Sequence, residues 1–173
     1  MKHLWIIRHA KSSWADSGQA DFERDLNQRG ERDGLRMQAH LETLAHAPQW
    51  LWCSSAQRAQ RTAQFVRTGF SIPNAYCQTL AELYHADAYQ LLDVLQRTPA
   101  EITSVAVVAH NPGLTDLVNS LGDTAVTSNL PTFGVAHFCW DRAPEHDFSG
   151  LVFGGLRLAN LYAPKTIDTA QGG

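Results

Sequence analysis

An arginine and a histidine stand side by side at residues 8 and 9, directly after the apolar run at residues 4–7. Such a continuous run is typical of a buried strand, and open α/β sheets bind their ligands beyond the carboxyl ends of such strands. Arg8 offers a planar fork of donors that fits the oxygens of a phosphoryl group. The pair therefore indicates phosphate chemistry, although a strand-end salt bridge would use the same kind of residue.

Two further apolar runs end near residues of the same types. Residues 50–52 precede a helical pattern that contains Arg58, and residues 105–109 end directly before His110. If the three strands lie parallel and adjacent, their carboxyl ends meet at one edge of the sheet. Four side chains would then share one pocket: Arg8, His9, Arg58 and His110.

These segments resemble the motifs of the histidine phosphatase superfamily, also called the phosphoglycerate-mutase-like family. Residues 8–10 resemble its Arg-His-Gly motif, residues 54–63 resemble Ser-x-x-x-Arg-Ala-x-x-Thr-Ala, and His110 matches the second catalytic histidine. Residues 8–12 and 110–113 are most similar to the short, phosphohistidine phosphatase-type branch. Three positions depart from the commoner Gly, Pro and Gln of the family, in that order: Ala10, Ser55 and Arg61.

The resemblance extends from residue 4 to about residue 121 and implies a mechanism. His9 would be phosphorylated transiently, and water would then attack the phosphohistidine, while Arg8, Arg58 and His110 hold the phosphoryl group. Cations beside His9, with a charged His110 counted among them, penalise its protonation. The groups that bind the phosphate are thus expected to keep the nucleophile neutral as well.

Several carboxylates are candidates for the general acid in this scheme. The resemblance points to Glu82, which follows the second predicted helix. A solvated surface carboxylate is an equally good interpretation of that residue, and the long loop at residues 10–26 offers three alternatives: Asp21, Glu23 and Asp25. A phosphoramidate bond asks less of an acid than a phosphate ester does, because its leaving nitrogen is easily protonated. Lys11 is expected to donate to substrate oxygens, or else to be a solvated loop charge.

Strand and helix patterns alternate along the chain. Strands are predicted at residues 4–7, 51–53 and 105–109, and helices at residues 27–44, 57–68, 88–95 and after Pro112, with Asn27 as a helix cap. Residues 133–140 and 151–158 are predicted to form a hairpin at the sheet edge. The predicted fold is an α/β three-layer sandwich with a mostly parallel central sheet flanked by helices. One domain is expected over residues 1–163, with residues 164–173 a frayed tail.

Composition argues against several classes of protein. The 173 residues carry a net charge of −3 with no basic stripe, so no nucleic-acid partner is expected. No apolar stretch has membrane-spanning length or the form of a signal peptide, which predicts a cytoplasmic protein without a membrane partner. The three cysteines are odd in number and widely spaced, and the histidines outside the motifs show no His-x-x-x-His pair. Neither a disulfide framework, a metal nor another cofactor is therefore predicted.

The sequence favours a metal-independent phosphatase that acts on protein phosphohistidine. Residues 69–104 must supply a helix and an approach to the sheet, which leaves little chain for a lid and favours an open groove. Two alternatives share the predicted site. One is a small-molecule phosphomonoesterase or mutase, and the other is a module that binds phosphorylated partners without hydrolysing them.

Overall fold

A computed structural model describes residues 1–141 and 146–167. Six strands form one sheet: β1 (Lys2–Arg8), β2 (Trp50–Ser54), β3 (Cys77–Leu80), β4 (Ser104–Ala109), β5 (Val135–Trp140) and β6 (Arg157–Tyr162). Their order across the sheet is β3-β2-β4-β1-β5-β6. The first four strands run parallel, whereas β5 pairs antiparallel with β1 and β6 antiparallel with β5. The mostly parallel sheet with antiparallel strands at one edge is thereby confirmed.

Five α-helices accompany the sheet: α1 (Gln28–Leu41), α2 (Gln57–Gly69), α3 (Ala88–Gln96), α4 (Gly113–Leu121) and α5 (Pro164–Ile167). The side chain of Asn27 accepts a hydrogen bond from the backbone N–H of Gly30 and so caps α1, as predicted. A capping box formed by Asp87 and Gln90 starts α3. No helix in residues 1–141 and 146–167 is both long and apolar enough to cross a membrane.

The core lies on both faces of the sheet, because β1 alternates its side chains between two helical layers. Leu4 and Ile6 pack in the cluster that includes α3 and α4. Trp5 and Ile7 pack in the opposite cluster with α1 and α2. Burial on both faces is the physical reason why β1 and β4 are continuous apolar runs, and it confirms the three-layer arrangement.

The prediction of the second hairpin strand at residues 151–158 is wrong over most of its length. The first strand is confirmed as β5, but β6 begins only at Arg157, whereas residues 151–158 were expected to be extended. Leu151 and Leu156 are buried without pairing in the sheet. Between them Gly154 adopts a φ of +80°, a conformation that ends a strand and favours glycine. The apolar residues in this stretch are therefore buried in the core although their backbone forms a coil and not a strand.

The frayed tail was predicted to begin too early. Pro164 and Ile167 are buried and delimit α5, which packs against α1. The guanidinium of Arg36 on α1 donates to the backbone oxygen of Pro164 at 2.8 Å. Residues 168–173 and part of the predicted hairpin connection lie outside the described residues. Edge strand β3, which is half-exposed and lacks an apolar run, was not predicted.

Candidate active site

The carboxyl ends of β1, β2 and β4 meet at one edge of the sheet. Arg8 at the end of β1 is in register with Ala109 at the end of β4. His9 and His110 follow directly, and their ring centroids lie 5.1 Å apart. Ser54 ends β2 beside them, with its Oγ 2.7 Å from Nε2 of His110. Adjacent parallel strands thus bring together residues about a hundred positions apart, at the kind of place where α/β sheets bind ligands.

His9 is held as a neutral ring with one nitrogen free. Its Nδ1 lies 2.7 Å from the backbone oxygen of Ala10, which can only accept, so Nδ1 carries the proton and Nε2 keeps its lone pair. Burial, ahead of the charges of Arg58 and Arg8, lowers the pKa of His9 to about 4. Thr62 on α2 fixes this turn, since its Oγ1 accepts from the backbone N–H of Ala10 at 2.9 Å.

His110 is also neutral when no anion is bound. Burial first, and then His9 and Arg58, lower the pKa of His110 to about 3. This corrects the expectation that a charged His110 acts on His9, because a buried imidazole between cations loses its proton. Nδ1 of His110 is buried with no hydrogen-bond partner among the described residues. Since the Ser54 hydroxyl accepts from the backbone N–H of Ala56, it can donate to Nε2 of His110, and Nδ1 can then carry the ring proton and donate it to an anion.

The guanidiniums of Arg8 and Arg58 line the same pocket, which has a volume of about 250 Å³ and is also lined by Lys11 and Arg24. Arg8 donates to the backbone oxygen of Leu130 at 2.8 Å, and its buried Nε has no partner among the described residues. Arg58 is 5% exposed and directs both terminal nitrogens at Asp21. The two predicted arginines therefore lie at the same pocket, and Asp21 already accepts hydrogen bonds from both terminal nitrogens of Arg58.

Asp21 is an ion-pair partner and a poor proton donor. Its Oδ2 accepts from the Tyr84 hydroxyl at 2.6 Å and from Arg58 at 3.0 Å, while its Oδ1 accepts from Arg24 at 2.7 Å. The hydrogen bond from Tyr84, followed by that from Arg58, lowers the pKa of Asp21 to about 2. Asp21 is thus ionised at neutral pH and competes with an incoming phosphoryl group for Arg58.

The structure does not bring Glu82 to the pocket. Oε1 of Glu82 instead forms an ion pair of 2.7 Å with Arg97, the residue directly after α3. Glu23 is exposed, and Oδ1 of Asp25 accepts from the backbone N–H of Leu26 at 2.7 Å. None of these three acids lines the pocket. Among the described residues, Asp21 is the one carboxylate that does.

The long loop after His9 contributes residues that the sequence did not single out. Arg24 is buried, donates to Oγ of Ser12 and to the backbone oxygen of Ser13, and lies 3.3 Å from the ring centroid of Trp14. His85 also lines the pocket. The one signal in the sequence was the length of the loop directly after His9.

Comparison with known proteins decides the family. Residues 4–111 match the histidine phosphatase superfamily, branch 1. The chain belongs to this superfamily. An uncharacterized protein of Mycobacterium tuberculosis is 32% identical to this histidine phosphatase over 139 residues, which cover 75% of this chain and 84% of that protein.

Solved structures confirm the fold of this histidine phosphatase. A protein of Agrobacterium tumefaciens assigned as the phosphohistidine phosphatase SixA is 25% identical, with a TM-score of 0.77 over 94% of this chain and 99% of its own. The protein histidine phosphatase SixA complexed with tungstate is 22% identical, with a TM-score of 0.76 over 95% and 99% of the two chains. The protein is therefore a phosphatase, and its substrate carries a phosphoryl group.

Proposed function

We propose that the protein hydrolyses phosphohistidine on other proteins through a phosphoenzyme formed on His9. The observation that carries this proposal is a neutral, oriented imidazole beside two guanidiniums in a pocket whose one carboxylate, among the described residues, is the ionised Asp21. The imidazole and the guanidiniums provide a nucleophile and an anion site. The lack of a protonated carboxylic acid favours a substrate whose leaving group needs little help from an acid.

The first step transfers the phosphoryl group to the enzyme. Nε2 of His9 attacks phosphorus with its lone pair as the P–N bond of the substrate breaks, and the leaving imidazole nitrogen takes a proton from solvent water. Arg8 and Arg58 bind the equatorial oxygens, where negative charge redistributes in the transition state. Protonated Nδ1 of His110 adds a third donor. Arg8, His9 and Arg58 line the pocket, and the ring of His110 lies 5.1 Å from that of His9 between centroids.

The second step returns the enzyme to its starting state. Water attacks phosphorus, the bond from phosphorus to Nε2 of His9 breaks, and inorganic phosphate leaves. The carbonyl of Ala10 holds the His9 ring in one orientation throughout, because its hydrogen bond with Nδ1 is independent of the chemistry at Nε2. Nitrogen is the leaving atom in both steps, so neither step requires a carboxylic acid of raised pKa.

The surroundings of the pocket suit a phosphoryl group that projects from a protein. The segment that larger relatives could use for a lid is occupied here by β3 and α3. Trp14 lines the pocket and is 74% exposed, and Phe22 stands nearby, 40% exposed, packed edge-on against Tyr84 at 5.2 Å. Exposed aromatic side chains are frequent anchors of protein partners.

Steady-state rates of one preparation on three substrates test the proposal. A phosphohistidine-bearing protein is expected to give a kcat/KM at least about 100-fold above phosphoserine, the lower part of the range for general acid catalysis, and also to be turned over faster than simple aryl phosphates. Faster turnover of a small metabolite would favour the phosphomonoesterase instead. Tight phosphate binding without turnover would favour the binding module.

The phosphoenzyme is tested separately with a labelled phosphodonor and rapid quenching. Acid-labile label is expected on His9 and absent in a His9→Ala variant. His85→Ala serves as the matched control, because His85 lines the same pocket and has no place in the mechanism. Label that persists in His9→Ala would overturn the mechanism even if the substrate is correct.

A further inference from the structure

A second pair of buried histidines lies at the amino end of β1. The register of β1 and β5 sets His3 opposite Cys139, and Trp5 opposite His137. Because strand side chains alternate, His137 and Cys139 face the same side of the sheet as His3. The six residue steps from His3 to His9 span ~20 Å along the strand. This cluster is therefore remote from the phosphate pocket.

The three side chains aim their ligand atoms at one another. Nδ1 of His3 lies 3.0 Å from Nε2 of His137 and 3.7 Å from Sγ of Cys139, and all three ligand atoms lie within 4.8 Å of each other. Ligands of a tetrahedral zinc ion, with Zn–N near 2.0 Å and Zn–S near 2.3 Å, stand about 3.3 Å (N to N) and about 3.6 Å (N to S) apart. The observed spacing is already close to that arrangement.

Hydrogen bonds alone do not account for this convergence. Nδ1 of His3 has either one proton or one lone pair in its ring plane, so it can form one good hydrogen bond, yet it faces both a nitrogen and a sulfur. All three side chains are buried, with exposures of 5–7%. A single cation between them would accept all three lone pairs at once. Buried polar groups are costly unless they are satisfied in such a way.

We propose that His3, His137 and Cys139 bind a zinc ion. Two imidazoles and a thiolate form a donor set that borderline-soft ions such as Zn²⁺ prefer. The exposed ring of His46 stacks on His3, with 3.9 Å between centroids and 8° between the ring planes, so its in-plane lone pairs point away from the ion and a water molecule fills the fourth position. The ion ties β1 to β5, and so has a structural role separate from the phosphatase reaction.

The charge states of the cluster are compatible with a cation. A neutral imidazole binds a metal ion through the lone pair of one ring nitrogen, and a thiol loses its proton when the metal binds. Arg157 on the edge strand β6 is in register with Cys139. It is exposed and carries a positive charge. The thiolate that forms on binding offsets part of this positive charge.

Titration of the chelator-treated full chain with Co²⁺ tests the proposal. We expect one equivalent to bind with a thiolate-to-cobalt absorption band and the intense visible bands of a tetrahedral ion, and Zn²⁺ to abolish them by displacement. Cys139→Ser should remove the charge-transfer band and weaken binding at least about 100-fold, since loss of outer hydrogen bonds alone costs about 10- to 100-fold. Phosphatase rates of this variant should stay within about threefold of the parent protein.

Two control variants separate this site from other donors in the chain. Cys77→Ser alters a half-buried thiol on β3 and should leave the spectrum unchanged, as should His9→Ala. Absence of the band, or its persistence in Cys139→Ser, would overturn the proposal. X-ray absorption of the zinc-loaded parent protein provides a test that needs no variant: one sulfur with nitrogen neighbours is expected, and a shell without sulfur would reject the site.

Discussion

The two ends of β1 each have a pair of buried histidines, and the two pairs have different neighbours. At the carboxyl end, His9 and His110 lie among guanidiniums, and their nearest carboxylate, Asp21, is already paired. At the amino end, His3 and His137 face a thiol. Burial lowers the pKa of all four rings in the same way. The neighbouring side chains, guanidiniums at one end and a thiol at the other, therefore decide whether a neutral imidazole helps to bind an anion or a cation.

The largest expected effect comes from exchanging a histidine at one end for alanine while the other end stays intact. His9→Ala removes the nucleophile and should lower kcat by at least about 10⁴-fold, in the range known for loss of a covalent catalyst. His137→Ala should keep kcat within about threefold and lose Co²⁺ binding. Parallel assays of turnover and cobalt absorbance on folded protein measure both. Equal losses of turnover in the two variants would remove the distinction.

A second test compares two arginines on α2. Arg58→Ala removes a donor from the phosphate pocket and should lower kcat/KM by about 10²- to 10³-fold, as loss of one transition-state donor does. Arg61 instead pairs with Glu31 at 2.7 Å, outside the pocket. Arg61→Ala is therefore the matched control and should change kcat/KM by less than about threefold. A similar loss in both variants would show a role of α2 in stability.

Acidification should destabilise both ends together. The pKa values are about 4 for His3, His9 and His137 and about 3 for His110, all below the value of 6.5 for an unfolded chain. Below pH 7 the unfolded state therefore binds more protons, and folding stability is lost as pH falls from about 7 toward 4. Between pH 7 and 6 we expect a loss of about 2–3 kcal/mol, or about 5–10 °C in Tm. Thermal melts in chelator-containing buffer check this, and a flat profile would contradict the neutral rings.

A smaller effect is expected on the affinity of the pocket for inorganic phosphate. Asp21→Asn removes the charge that competes for Arg58 but keeps an oxygen for Tyr84, so inorganic phosphate should inhibit about fivefold more strongly, equivalent to about 1 kcal/mol. Asp16→Asn, on the same loop and outside the pocket, should leave the inhibition constant unchanged. Weaker inhibition in Asp21→Asn would mean that Asp21 serves mainly to orient Arg58.

The smallest expected effect concerns a residue that belongs to neither end. Glu82→Gln breaks an exposed ion pair with Arg97 and should change kcat/KM for a phosphohistidine protein by less than about twofold. The matched variant Arg97→Gln breaks the same pair from its other side and should behave alike. A loss of about 10²-fold in Glu82→Gln alone would restore Glu82 as the general acid.

Local pattern predicted the parts of this protein that depend on a few neighbouring residues. Apolar runs located β1, β2 and β4, and the cap at Asn27 located the start of α1. The pattern failed where packing overrode it, as in the apolar coil that includes Leu151 and in the edge strand β3. An apolar residue can be buried without belonging to a hydrogen-bonded strand, and a strand at the edge of a sheet needs no continuous apolar run.

The sequence by itself determined which side chains follow the strands Lys2–Arg8 and Ser104–Ala109, and with them the histidine pair of the phosphatase family. Only the tertiary structure decided which partners those side chains meet. Asp21 reaches Arg58 across 37 positions, and His3 reaches His137 across 134. Such contacts follow from strand register and loop path, which are set by packing of the whole chain, and no local spacing records them.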